Sequence, residues 1–77
     1  MTQDIIQDIE YIAKKYDMPL KDIHIYIETD FNIRMHALGD QIVPRNDGYL
    51  HVWNEEKERF DVIRHNHINK IKIMNKI

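Results

Sequence analysis

Apolar residues at Ile5, Ile6, Ile9, Ile12, Ala13 and Tyr16 recur at the three-and-four spacing of one helical face. The spacing predicts a helix over about 3–17. Thr2 suits the N-cap, Asp4 sits in the first turn where the dipole favours an acid, Lys14 and Lys15 sit in the last, and Pro19 stops the element. The period then changes to two. Ile23, Ile25 and Ile27 alternate with His24, Tyr26 and Glu28, which predicts a half-buried strand over 22–29. Thr29-Asp30-Phe31-Asn32 reads as a tight turn, and a second strand runs through Ile33, Met35 and Ala37, with Gly39 marking a bulge or bend. Pro44-Arg45-Asn46-Asp47-Gly48 is the strongest turn cluster of the chain. A third strand follows from Tyr49 to Trp53, a charged loop from Asn54 to Arg59 and a fourth strand from Phe60 to Arg64. Ile68, Ile71 and Ile73 then mark a short fifth strand, after a turn at His65-Asn66-His67.

One helix followed by five short, closely connected strands argues for a mainly β fold, an antiparallel sheet bent on itself into a small open barrel. Parallel βαβ architecture is excluded. The 77 residues suit a single domain, 1–77. A core this small must offset ~1.5 kcal/mol of conformational entropy per ordered residue, so oligomerisation is the expected source of added stability. With no cysteine the chain has neither a disulfide nor a thiolate zinc site to take that role, as expected of a reducing compartment. The first residues are acidic and no apolar run approaches the ~20 residues of a membrane span, so a soluble, cytoplasmic protein with no membrane partner is expected.

Apolar residues at 43% and charged residues at 31% exclude a disordered chain. The net charge of −2 argues against indiscriminate binding to duplex nucleic acid, which depends on neutralising many phosphates. The charge is unevenly placed. Residues 1–31 hold three Lys against seven Asp and Glu, whereas 59–77 hold five basic residues against Asp61 alone.

Against that charge pattern, two short stretches resemble a known family. Asp47-Gly48-Tyr49-Leu50-His51 resembles the first signature of Sm-like proteins, Asp-x-aromatic-Met-Asn, with Leu50 for the Met and His51 for the Asn. Val62-Ile63-Arg64-His65-Asn66-His67-Ile68-Asn69-Lys70-Ile71 is similar to the second signature, Ile-Arg-Gly-Asn followed by an apolar residue, with His65 for the glycine. The element order matches too, so the resemblance covers nearly the whole chain. Bacterial Hfq shares that order, but its Tyr-Lys-His turn fits less well than Ile63-Arg64-His65-Asn66.

The resemblance implies an Sm-like, strongly bent five-stranded antiparallel sheet. It also implies rings of six or seven subunits, in which the fourth strand of one barrel pairs with the fifth of the next. Single-stranded, uridine- or adenine-rich RNA would pass the two signature loops, in RNA regulation or turnover. By position, Tyr49 stacks on a base, His51 meets its edge, Asp47 orients His51 and Arg64 covers the base from the other side. His65 and Asn66 complete the second loop, with His65 standing where a glycine normally lets backbone approach RNA closely.

Plainer readings accompany these residues. Tyr49, His51 and Trp53 also suit a cross-strand packing row, Arg64 and Asp61 a surface ion pair, and Lys70 and Lys72 the solvated face of an edge strand. His65 and His67 have no third partner legible in the sequence, so no metal is expected. The chain has no Gly-rich phosphate loop, no nucleophile elbow and no supported carboxylate pair, so neither an enzyme nor a cofactor is expected. A different class of function also fits: a small acidic phage or mobile-element protein that engages a host protein through Asp4, Asp8 and Glu10 on the N-terminal helix.

Overall fold

Helix α1 (Thr2–Lys15) buries Ile5 and Ile9 and packs Ile6, Ile12 and Ala13 against the same core, leaving Asp4, Asp8 and Glu10 in solvent. The computed structural model describes residues 2–43 and 45–76; the side chains of Thr2 and Gln3 and the whole of Pro44 lie outside the described residues, and with them the expected cap at Thr2 and the proline of the turn cluster. The helix stops two residues earlier than its apolar spacing predicts. Asp17 takes a left-handed backbone, φ 49°, and the Met18 N–H donates to Ala13 O at 2.9 Å. This closure satisfies the helix end before Pro19 is reached.

A single 3-10 turn (Leu20–Asp22) then sets Ile23, fully buried, beneath the helix and leads into β1 (His24–Thr29). The β-branched alternation of β1 gives it one dry face, with Ile25 and Ile27 at 0% exposure. β1 pairs antiparallel with β2 (Arg34–Leu38) on one side and with β6 (Ile68–Ile73) on the other. The β1–β2 turn sets Asp30, Phe31 and Asn32 between the bonded residues Thr29 and Ile33. The Thr29 N–H donates to Ile33 O at 2.9 Å, and Asn32 supplies the left-handed residue at φ 58°. The second sheet holds β3 (Ile42–Val43), β4 (Tyr49–Asn54) and β5 (Arg59–Arg64), in that order and antiparallel throughout.

Two three-stranded sheets, β2-β1-β6 and β3-β4-β5, therefore replace the expected single sheet of five strands, and they do not close. The difference lies at Gly39. Between β2 and β3 the chain makes a 3-10 turn (Gly39–Gln41), anchored where the Gly39 N–H donates to Ile23 O at 2.8 Å and the Leu38 N–H donates to Gln41 Oε1 at 2.8 Å. A Cβ at position 39 would stand 2.7 Å from the backbone oxygen of Leu20 and 3.3 Å from Ile9. Glycine thus lets two tight turns touch, and the chain crosses there from one sheet to the other.

Both sheets face one core of Ile5, Ile9, Ile23, Ile25, Ile27, Ala37, Ile42, Leu50, Val52 and Ile68. Ile23, Ile25, Ile27 and Leu50 are fully withdrawn from water, each contributing ~1.5–3 kcal/mol by burial. No helix among the described residues is long and apolar enough to cross a membrane.

Candidate functional site

Gly48 turns the chain into β4 at φ 83°, a backbone region that other residues rarely adopt. This places the Asp47 carboxylate over the start of the strand. Its Oδ1 accepts the Tyr49 backbone N–H at 3.1 Å, and its Oδ2 accepts His51 Nε2–H at 2.9 Å. The hydrogen bond from His51 is the largest of the effects that hold the Asp47 carboxyl below its ordinary range. A carboxylate so bound orients the imidazole and keeps a proton on Nε2, with Nδ1 at the other side of the ring.

The β4–β5 register sets Tyr49 directly opposite Arg64, whose guanidinium lies 5.9 Å from the tyrosine ring centroid. Just past Arg64 the chain enters a 3-10 turn (His65–His67), and the His65 N–H donates to Gly48 O at 3.0 Å. That bond ties the two loops together. Asn66 follows, exposed on the same turn. The structure thus brings Asp47, Tyr49, His51, Arg64 and His65 to one end of the β4–β5 pair, with Asn66 one residue beyond. The assembly offers an aromatic face, a guanidinium plane and an oriented imidazole side by side, a set suited to a planar, partly anionic ligand.

No protein-family model, curated protein or solved structure matches this chain.

One pairing weighed from the sequence is not present. Arg64 and Asp61 form no ion pair, because they project from opposite faces of β5; Asp61 Oδ2 instead accepts Asn54 Nδ2–H at 3.0 Å. His67 meets Phe31, with the rings edge to face at 6.3 Å. No group of three or more His, Cys, Asp or Glu placed to hold a metal occurs among the described residues. Lys70 and Lys72 lie exposed on the outer face of β6, opposite Glu28 and Tyr26 of β1.

Sequence reasoning passed over two further clusters. Phe60 packs edge to face on Trp53 with centroids 5.0 Å apart, and on the other sheet His24 Nδ1 meets His36 Nε2 at 2.9 Å. The alternation of β4 put Trp53 on one face with Tyr49 and His51, but its meeting with Phe60 depends on a register set by the 55–58 turn. The two histidines belong to strands whose pairing depends on the Thr29–Asn32 turn.

Proposed function

We propose that this chain is an Sm-like RNA-binding module that forms a homo-oligomeric ring and binds single-stranded, uridine- or adenine-rich RNA. The observation that carries the reading is the meeting of the Arg64 guanidinium with the Tyr49 ring beside a His51 held by Asp47. A base slotted at that position gains stacking on the ring, cover from the guanidinium plane and a hydrogen bond at its edge. An unpaired base of a single strand can enter in this way, and the likeness to the Sm-like signatures selects RNA among single strands. The net charge of −2 fits such a ligand better than a duplex, because stacking needs few phosphate contacts.

The strand path supports the same reading. With β2 and β3 taken as two arms of one segment bent at Gly39–Gln41, the neighbours run β6, β1, β2 and β3, β4, β5, the path of a five-stranded bent sheet. β5 and β6 are left as its outer edges. Each presents unpaired backbone groups, and pairing β5 of one copy with β6 of the next satisfies both while generating a closed ring. Such assembly also adds stability to a core this small.

Fluorescence anisotropy of labelled oligouridylate and oligoadenylate tests the reading. Binding that weakens as salt rises is expected; its absence at low salt overturns it. One observation favours a second reading, engagement of a protein through α1. Asp4, Asp8 and Glu10 stand in solvent together with Tyr11, which is 63% exposed. That reading predicts a stoichiometric protein partner, no RNA, and loss of capture when the three acids are replaced by Lys.

A further inference from the structure

The row of side chains that begins at Tyr49 does not end at His51. Successive residues of β4 alternate in direction, so Tyr49, His51 and Trp53 share its outward face, and Arg64, Val62 and Phe60 of β5 stand directly across from them. At the far end of this ladder the Trp53 and Phe60 rings meet at an interplanar angle of 67°, and Phe60 also meets His51 edge to face at 6.3 Å. An edge-to-face contact occupies the edge of one ring and one face of the other, leaving further π-face for a stacked base.

These rings add little to the core. The inward face of the same strand pair is already closed by Leu50 at 0% and Val52 at 3% exposure, whereas Phe60 is 40% and Val62 51% exposed. Aromatic and aliphatic surface left in water beside an oriented polar cluster is the makeup of a recognition face. The spacing fits a single strand as well. Two residues along a β-strand advance about 6.6 Å. A nucleic-acid strand with its bases unstacked reaches roughly twice the ~3.4 Å rise per nucleotide that it has in a duplex. One row of side chains therefore matches one nucleotide.

Resting on the RNA reading above, we propose that the outward face of β4 and β5 continues the base-binding site, with Trp53 and Phe60 holding a second base two nucleotides along from the base at Tyr49 and Arg64. The neighbouring turn sets Glu55, Glu56 and Glu58 against Lys57 and Arg59, so this end does not attract phosphate. Stacking carries the second base, and its contribution is insensitive to salt, in contrast to that of Arg64.

The chain has one tryptophan, so its emission reports this position alone. The full chain is titrated with uridine monophosphate, a uridine trinucleotide and a longer labelled oligouridylate, following tryptophan emission and RNA anisotropy together. The expected result is quenching that tracks anisotropy for the oligomers and is absent with the mononucleotide. Phe60→Leu is expected to weaken oligomer binding about tenfold at any salt, while Phe60→Tyr, which keeps the ring, binds as wild type. Anisotropy that rises with no change in emission and no effect of Phe60→Leu overturns the second-base position and leaves the Tyr49–Arg64 reading standing. Equal losses from Phe60→Leu and Phe60→Tyr assign the ring to packing and overturn it too. No anisotropy change with any oligomer at low salt overturns both.

Discussion

The two sheets use their outer faces differently. In β2-β1-β6 Ile25, Ile27, Ala37, Ile71 and Ile73 point inward and, apart from half-buried Leu38 opposite His24, the outer face is polar: Glu28 accepts from the Tyr26 hydroxyl at 3.1 Å and lies 3.7 Å from Arg34, with Lys70 and Lys72 alongside. In β3-β4-β5 Leu50, Val52 and Ile63 point inward with the hydrogen-bonded pair Asn54 and Asp61 at the end of their row, and the outer face carries Tyr49, Trp53, Phe60 and Val62 with Arg64 at its end. Burial accounts for most of the first sheet. It leaves the outer apolar residues of the second outside the core of the monomer, and this is the surface that the proposed function assigns to a ligand.

The contrast predicts opposite outcomes for matched truncations. Ile27→Ala on the inner face of β1 removes a fully buried side chain and should cost about 2–5 kcal/mol in urea denaturation, enough to unfold much of the population. Val62→Ala on the outer face of β5 should stay within about 0.5 kcal/mol of the wild type in the same experiment. Equal losses at the two positions would mean that the outer face of the second sheet is covered within the monomer.

The join between the sheets is the next place to press. Gly39→Ala drives a methyl group against the Leu20 carbonyl oxygen, a backbone atom that cannot rotate aside, and should cost ~1–3 kcal/mol in the unfolding midpoint. A wild-type midpoint would show that the two turns are free to separate.

Where a local signal was sufficient, the element was legible in advance. The isoleucine alternation of β1, the three-and-four spacing of α1 and the acid-glycine turn before β4 each declare themselves over a few residues. The site's first ring was legible for the same reason: Asp47, Tyr49 and His51 lie within one turn and one strand, so their mutual contacts are local. What could not be read depends on partners distant in sequence. The division of the second strand at Gly39 follows from its approach to Leu20 and Ile23, and Ile42–Val43 forms a strand only because β4 lies beside it. The early end of α1 was missed because Asp17 adopts a left-handed conformation that its residue type does not announce.

Smaller effects separate the proposed ligand face from the scaffold. Tyr49→Ala should weaken oligouridylate binding by ~1–3 kcal/mol in an anisotropy titration, the contribution of one stacked base, while leaving the unfolding midpoint near that of the wild type. The smallest effect is on pH. The Asp47 carboxyl is held below its ordinary value near 3.8, chiefly by His51, so its contribution to stability is fully present above that value and is lost as pH falls through the lower, folded-state value. Asp47→Asn should remove this acid-dependent part from the thermal midpoint measured from neutral to strongly acid solution. An unchanged acid profile would mean that the Asp47–His51 contact does not form in solution.

Native mass spectrometry of the full chain with a short oligouridylate tests the central claim most directly. The account predicts a species of six or seven copies carrying RNA, built through the β5 and β6 edges. A monomer that takes up no RNA would contradict it.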